Sequence, residues 1–456
     1  MQAECLRPGG CKMQIRVGVS ANDLTTRTHA TASFRSPARL AVVPMARKGA
    51  AGAPAVVEPG QLLVVSVSGS SLALAGLSPP LAGRWTAVRI NPQEAQAPVC
   101  LESLERAQAG GRRPPCYRGA FEVALAGGRL RVVLVCDADG YVEGVLGSEV
   151  PAGYRLEAIK AQAVAARTYG LRPRIDHSGE GFNVCDSYLC CQNFNGNAAR
   201  INAGYRRAIE ETSEEVLVYQ DRPILALFSS NAGGHTENYE NCFSDPLTDR
   251  FPPEPIPYLK AVPEGKLPAG FPGEPALRSL WHMPGPQTCD AWAPQFRWRL
   301  AMPADALEAH MHHVVERMGA DPQFAPFIAP PPSGRFGHID RFEVGKRGAS
   351  GVAITLAVHT SAGTWLVTKE LVIRSLFENP DLKLTRLRSA RIFFDHGRDR
   401  LGLLSELVVS GLGSGHGVGL QQTGAQGLAV AGAGYRQILH HYYSGARVER
   451  MPASGV

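Results

Sequence analysis

The sequence lacks several things that would have given it a quick assignment. No apolar run approaches the roughly 20 residues a membrane-spanning helix needs, so none is expected. The N-terminus, MQAECLRPGGCKMQIRVGV, lacks the apolar core of a secretory signal. That leaves three readings open: a cytoplasmic protein, a trimmed start, or a start further upstream. There is no Lys/Arg block and no basic run interleaved with aromatics. The net charge of +6 is spread thinly over 456 residues, so a nucleic-acid surface is not expected. The same mild positive balance suits an anionic envelope polymer equally well. Cysteine is too sparse for a disulfide-built scaffold, with ten residues at 5, 11, 100, 116, 136, 185, 190, 191, 242 and 289. No G-x-S-x-G elbow, no G-K-[ST] and no internal repeat occurs.

What is present is a folded chain rich in turns. Glycine numbers 49 and proline 34, yet 44% of residues are hydrophobic and 19% charged, which argues against disorder. The length allows two or three domains. QIRVGV, RLAVVPM, QLLVVSVSG and WTAVRI are short apolar runs broken by Gly and Pro, so the first hundred residues read as β-rich, with a loop at RKGAAGAPAVVEPG (47–60). RLRVVLVC (129–136), DADG and YVEGVL (141–146) together predict a hairpin. The period then changes: EAIKAQAVAARTYG (157–170) puts Leu156, Ile159, Ala163 and Ala166 on one stripe, a buried-helix pattern. VLVYQDRPILALFSS (216–230) predicts paired strands turning at Gln220–Pro223, and ADALEAHMHHVVERMG (305–319) a short helix. The fold class expected is mixed α+β, largely antiparallel strands and hairpins with a few packed helices, plus an accessory inserted region at 268–337.

Three segments carry residues suited to chemistry. In GSEVPAGYRLEAIKAQAVAARTYG (147–170), Glu149 sits at the end of an element beside Leu146, Val150 and Tyr154. A partly desolvated carboxyl there would suit a general acid; an ordinary surface or capping glutamate is the competing reading. Lys160 and Arg167 are seven apart and share a helical face. In FSSNAGGHTENYENCF (228–243), Ser229, Ser230, His235 and Thr236 surround two glycines after an apolar strand, typical of a ligand-facing loop, although His235 would also serve to pin the turn. In GSGHGVGLQQTGAQGLAVAGAGYRQILHHYYSG (413–445), glycines alternate around His416. Their spacing does not match a dinucleotide fingerprint. Close approach of a bulky substrate to bare backbone and a tight bend before a buried helix both fit.

Taken together the three segments resemble the SpoIID/LytB family, the stage II sporulation protein D-like proteins. FSSNAGGHT is followed by PYLKAV, and further family-like stretches are IDRFEVGKRGASG (339–351), ELVIRSLF (370–377) and LRSARIFF (387–394). The resemblance covers roughly residues 120–448. It implies a β-rich N-terminal region at 1–118, a core whose first part, 119–267, carries Glu149, the accessory region at 268–337, and a second core part at 338–448 with the GHGVG motif. It also implies a peptidoglycan lytic transglycosylase that cleaves the bond between N-acetylmuramic acid and N-acetylglucosamine, with strands free of stem peptides preferred. The alternative within the family is a wall-binding protein or modifier of a cell-wall amidase. By the same resemblance Glu149 is the acid, and Tyr154, Lys160, Arg167, Ser229, Ser230, His235, Thr236, His416 and Gln422 are substrate-binding or supporting residues. Gln421 stands where the family commonly has serine. A wall substrate implies an extracytoplasmic location, with no organic cofactor and no nucleic-acid partner.

HSGEGFNVCDSYLCCQNFNG (177–196) collects His177, Cys185, Cys190 and Cys191. By chemistry alone the set fits zinc, and a free thiol with a local disulfide fits as well. Some proteins of the resembled family have a similar H…CD…CQ stretch that binds zinc. That resemblance selects His177, Cys185 and Cys191 as ligands of a structural Zn2+, with Cys190 competing for the last place. A zinc-dependent hydrolase would need an open coordination position.

Overall fold

Alternation dictates the first sheet. Ile15 and Val17 are fully buried while their neighbours on Gln14–Gly18 face outward, as one side of a pleated strand requires. The computed structural model describes residues 13–45, 52–108, 111–172, 177–196, 202–271, 273–285 and 287–451. The leader before residue 13, with Cys5 and Cys11, and the start of the 47–60 loop lie outside the described residues. The chain divides into two compact units, Met1–Leu225 with Val448–Val456, and Ala226–Arg447.

The first unit holds a seven-stranded sheet in the order Val184–Cys185, Gln14–Gly18, Arg129–Asp137, Ala120–Ala126, Ala87–Pro92, Leu40–Pro44 and Ala55–Val57. Its pairs are antiparallel except for Val184–Cys185, which runs parallel to Gln14–Gly18 with Gly18 opposite Cys185. A five-stranded sheet, Cys116–Tyr117, Val99–Leu101, Thr31–Arg35, Leu63–Ser68 and Ser71–Ala75, accompanies it. A Cys100–Cys116 disulfide joins directly opposed residues of two of these strands.

Helix α1 (Ala138–Glu149) is a correction to the sequence reading, which predicts a second hairpin strand over YVEGVL. The Asp137 side chain accepts from the Gly140 amide at 2.6 Å, an N-cap that turns the chain from the strand directly into a helix. Gly144, unfavourable in a helix on propensity alone, is required by packing: a Cβ there would lie 2.3 Å from the Phe194 ring. Tyr141, Phe194 and Tyr117 stack in that space, at 5.3 and 5.9 Å between ring centroids. Helix α2 (Leu156–Leu171) is buried along nearly its whole length, which its alanines permit. Helix α3 (Ala203–Glu211) is capped by Asn202 and packs beside α1 and α2. The hairpin Glu215–Tyr219 and Arg222–Pro223 turns on Gln220 and Asp221, both at positive φ, and Arg447–Arg450 completes its three-stranded sheet.

In the second unit, α4 (Glu274–His282) and α5 (Ala304–Ala320) precede and follow the FRWRL strand, Arg297–Pro303. That strand lies in a three-stranded sheet with Leu404–Leu412 and Ile392–Arg398. A four-stranded sheet, Ile328–Ala329, Gly363–Thr368, Thr355–Thr360 and Ile339–Val344, shares one apolar core with α5, including Met311, Met318, Phe342 and Phe377. Helix α6 (Glu370–Ser375) follows that sheet, while α7 (Gln422–Val430) and α8 (Tyr435–Tyr442) close the glycine-rich segment. Mixed α+β with largely antiparallel sheets is the architecture observed.

Candidate functional site: a carboxylate beside a thiol–imidazole cluster, and a glycine-walled loop

Glu149 ends α1 and is half-buried. Its Oε1 accepts the backbone N–H of Asn193 at 2.8 Å, while Ser148 contributes Oγ to the Asn195 N–H at 3.1 Å and its carbonyl to Asn193 Nδ2 at 3.4 Å. The Tyr205 hydroxyl on α3 donates to the Val150 carbonyl just beyond. The glutamate therefore stands on a rigid helix end, gripped by the segment that follows the cysteines. Among the expected supporting residues, Tyr154 is half-buried, and burial raises its phenol pKa. Lys160 bonds Glu157 at 2.8 Å and Glu211 at 2.5 Å; burial acts against its charge, yet these carboxylates hold its pKa up. Arg167 is wholly enclosed, donating to the carbonyls of Thr212 (2.8 Å) and Glu215 (3.1 Å) and to Asp139 Oδ1 (3.0 Å). Burial lowers its pKa, and Asp139 works against that.

His177, Cys185, Cys190 and Cys191 place their four ligand atoms within 4.8 Å of one another. His177 Nε2 lies 3.3 Å from Cys191 Sγ and 3.5 Å from Cys190 Sγ, and the two sulfurs are 3.9 Å apart. Tetrahedral zinc, with bonds of about 2.0–2.1 Å to nitrogen and about 2.3 Å to sulfur, separates its donors by about 3.5–3.8 Å. The donor set fits, and Cys190 lies with His177, Cys185 and Cys191 in one group that could hold the ion. His177 Nδ1 meets Glu180 Oε2 at 3.0 Å, the carboxylate–imidazole contact that orients a ligating histidine. The Cys185 amide donates to Cys191 Sγ at 3.4 Å. Hydrogen bonding of the Cys185 thiol with Cys190 and Cys191 pushes its pKa far up, with burial and the charge of its neighbours adding to the shift; a bound cation would neutralise the set as thiolates. No disulfide joins any two of Cys185, Cys190 and Cys191, so the local disulfide reading is not the arrangement adopted.

Asp186 was not singled out from sequence, though it is the Asp of the quoted CD pair. It is buried, accepts the Ser20 amide at 2.8 Å and pairs with the equally buried Arg106 at 2.9 Å. This ties the cysteine loop to the sheets below. Nothing in local context distinguishes it, since its partners come from residues 20 and 106.

In the second unit the scattered family-like stretches converge on one loop. Phe228–Ser229 pairs in parallel with Leu420–Gln421, and Gly413, with φ +78°, lies where a Cβ would meet the Asn231 carbonyl at 2.6 Å. Gly419, at φ +75°, faces the Leu227 carbonyl at 2.2 Å from the same hypothetical atom. Gly413 and Gly419 therefore pack backbone on backbone against the stretch from Leu227 to Gly233. Arg391 of LRSARIFF is buried and donates to the carbonyls of Gly233 (2.6 Å), Ala232 and Ser350 (2.7 Å). Ser350 of the RGASG stretch donates to buried Glu237 at 2.6 Å, and the amides of Asn238 and Ser350 add bonds of 2.8 and 2.9 Å. Glu370 and Arg374 of ELVIRSLF pair at 2.9 Å.

The expected residues here divide. His235 is fully buried, its ring nitrogens set against the Thr236 (2.7 Å) and Ala269 (3.1 Å) carbonyls, and burial lowers its pKa. Thr236 is buried and accepts the Val262 amide at 2.7 Å. His416 accepts the Val418 amide on Nδ1 at 3.0 Å and stacks edge-on against Phe243. Burial, with nearby Arg374, pushes it down to about 4, so it is neutral at pH 7. Ser229 Oγ and Gln422 Nε2 are buried without a hydrogen-bond partner, and Ser230 Oγ accepts from Gln295 Nε2 at 3.3 Å. Gln421, at the position where serine is common, accepts the Ala232 amide at 2.9 Å and donates to buried Glu264. Cys289 and His441 also contact Glu264, at 2.5 and 3.4 Å, so the longer side chain has partners.

Comparison with known proteins follows this division. Residues 126–219, which include Glu149 and the thiol–imidazole cluster, match the family model described as Stage II sporulation protein (SpoIID). Residues 247–419 match a domain of unknown function, DUF8618. The chain is 28% identical over 313 residues to the amidase enhancer of Bacillus subtilis (strain 168), covering 67% of this chain and 39% of that protein. It is 26% identical to stage II sporulation protein D of Bacillus amyloliquefaciens (68% of this chain, 73% of the relative) and to that of Bacillus subtilis (69% and 74%). The chain is thus a distant homologue of the SpoIID and amidase-enhancer proteins. No helix among the described residues is long and apolar enough to cross a membrane.

Proposed function

We propose that this protein is a peptidoglycan lytic transglycosylase of the cell envelope, with Glu149 as its acid and base. The observation that carries the reading is the placement of Glu149, at a helix end inside the SpoIID-matched region, with Oε1 held by the Asn193 amide. One carboxyl suffices for this reaction, because the nucleophile belongs to the substrate. Glu149 gives its proton to the glycosidic oxygen as the bond from muramic C1 breaks. The resulting carboxylate takes the proton of the muramic C6 hydroxyl, whose oxygen bonds to C1 and closes a 1,6-anhydro ring. Residues of the Ser229–Thr236 loop and of the His416–Gln422 segment serve the glycan, His235, Thr236 and His416 by shaping backbone rather than by offering side chains.

A zinc ion held by His177, Cys185, Cys190 and Cys191 would supply charge neutralisation and rigidity to the loop carrying Asn193. Four protein donors leave no position for a zinc-bound water, which argues against a zinc-dependent hydrolase. The Cys100–Cys116 disulfide supports an oxidising, extracytoplasmic compartment. A second reading, a wall-binding protein that modifies an amidase, is favoured by the similarity to the amidase enhancer.

Mass analysis of glycan strands, intact and stripped of stem peptides, separates the two. The parent is expected to release anhydro-muramic ends. Glu149→Gln keeps shape and an acceptor oxygen but moves no proton, so release should fall about 10²–10⁴-fold or more while strand binding and melting persist. Binding without cleavage by the parent selects the second reading, and reducing ends in place of anhydro ends point to hydrolysis.

A further inference from the structure

Trp292 is 54% exposed, although its indole N–H is tied down by a bond to the Thr423 carbonyl at 3.2 Å. An exposed indole held by its N–H is a fixed plate rather than a mobile side chain. The segment bearing it is stitched to both glycine-walled stretches. Asn231 Nδ2 donates to the Asp290 carbonyl at 3.2 Å and to Thr423 Oγ1 at 2.8 Å. The Gly234 amide donates to Asp290 Oδ2 at 2.8 Å, and Gln295 Nε2 to Ser230 Oγ at 3.3 Å. The Thr423 amide returns to the Ser230 carbonyl at 3.1 Å.

The neighbours of this plate in the bonded network are polar: Ser230 and Gln295, with Gln422 preceding Thr423 and its Nε2 buried without a partner. A pyranose ring calls for what is found, one flat apolar face for its axial C–H bonds and amides or hydroxyls at the edge for its oxygens and N-acetyl group.

We infer that Trp292 is a sugar-stacking platform, a binding residue for one ring of a β-1,4-linked N-acetylhexosamine strand, with Gln295 and Ser230 at its polar edge. This rests on the glycan reading above and adds a residue from the DUF8618-matched region, outside the SpoIID match.

The test is titration of the full chain with peptide-free glycan strands and with the β-1,4 tetramer of N-acetylglucosamine, followed by calorimetry and acrylamide quenching. Aromatic contacts of this kind contribute about 0.5–1.5 kcal/mol, so Trp292→Ala should weaken strand binding about 2- to 12-fold. Trp292→Phe should fall between, with melting unchanged, and Leu401→Ala, at an 84% exposed hairpin tip, should bind like the parent. In the parent, strands should shield one quenchable indole, and Trp292→Phe should remove that shielded fraction, a readout that does not depend on the alanine variant folding. Equal strand affinity in parent and both variants, or shielding that survives in Trp292→Phe, overturns the platform while leaving the glycan reading intact. A parent that neither binds nor cleaves strands overturns both.

Discussion

The Asn193 amide donates to Oε1 of Glu149 at 2.8 Å, and Asn193 stands two positions after Cys191. The group proposed to move protons is therefore positioned by the loop that the thiol–imidazole cluster folds. Because the donor is backbone, no substitution of Asn193 other than proline removes it directly, and otherwise only the conformation of the loop does.

That relationship makes the metal testable through folding. Protein purified without added zinc is expected to hold about one equivalent, and Cys185→Ser to lose the metal and melt lower. Cys190→Ser, altering the exposed sulfur, should retain weaker metal binding on the other three donors. Elemental analysis and thermal melting read both. A Cys185–Cys191 disulfide in freshly isolated protein, seen by mass spectrometry, would contradict the site.

Arg167 gives a second test, because its guanidinium is enclosed and already bonded to Asp139 and two carbonyls. Arg167→Met removes the cation, leaves the two carbonyls buried and deprives the half-buried Asp139 of its ion pair. A loss of about 3–5 kcal/mol is expected from chemical denaturation, the range for breaking a buried ionic network from one side. Cleavage per folded molecule should stay near that of the parent. A large rise in KM with unchanged stability would instead place Arg167 at the substrate.

Asp290 and His416 should oppose each other in the pH dependence of stability. Burial, with Glu264 nearby, raises Asp290 from 3.8 to about 6, so the stability it allows is present below 3.8 and lost as pH rises towards 6. His416 falls from 6.5 to about 4, so its contribution is present above 6.5 and lost as pH falls towards 4. Asp290→Asn keeps an oxygen for the Gly234 amide and removes the first slope. Its advantage over the parent should be near zero at pH 4 and reach about 3 kcal/mol by pH 6.5, at about 1.4 kcal/mol per unit. Melting curves at half-unit intervals measure this, and a constant offset across the range would mean that Asp290 does not titrate in the fold.

Much of this was legible in the chain itself. Period-2 runs such as QIRVGV and RLRVVLVC became strands where expected, and the alanine stripe after Leu156 became α2. The local density of His177, Cys185, Cys190 and Cys191 pointed to a shared site, and the four ligand atoms do come together in a group that could hold a metal, since residues close in sequence are readily brought together in space. YVEGVL misled, because an apolar run of six suits strand or helix equally; the Asp137 cap and the space for Phe194 against Gly144 selected the helix. Asp186 and Arg391 carried no local signal, for their side-chain partners lie tens to more than a hundred residues away, and Glu237 adds the distant Ser350 to its near neighbour Asn238. The tertiary structure also decided what alternating glycines are for: around Gly413 and Gly419 bare backbone meets bare backbone, a complementarity between distant segments that neither segment encodes alone.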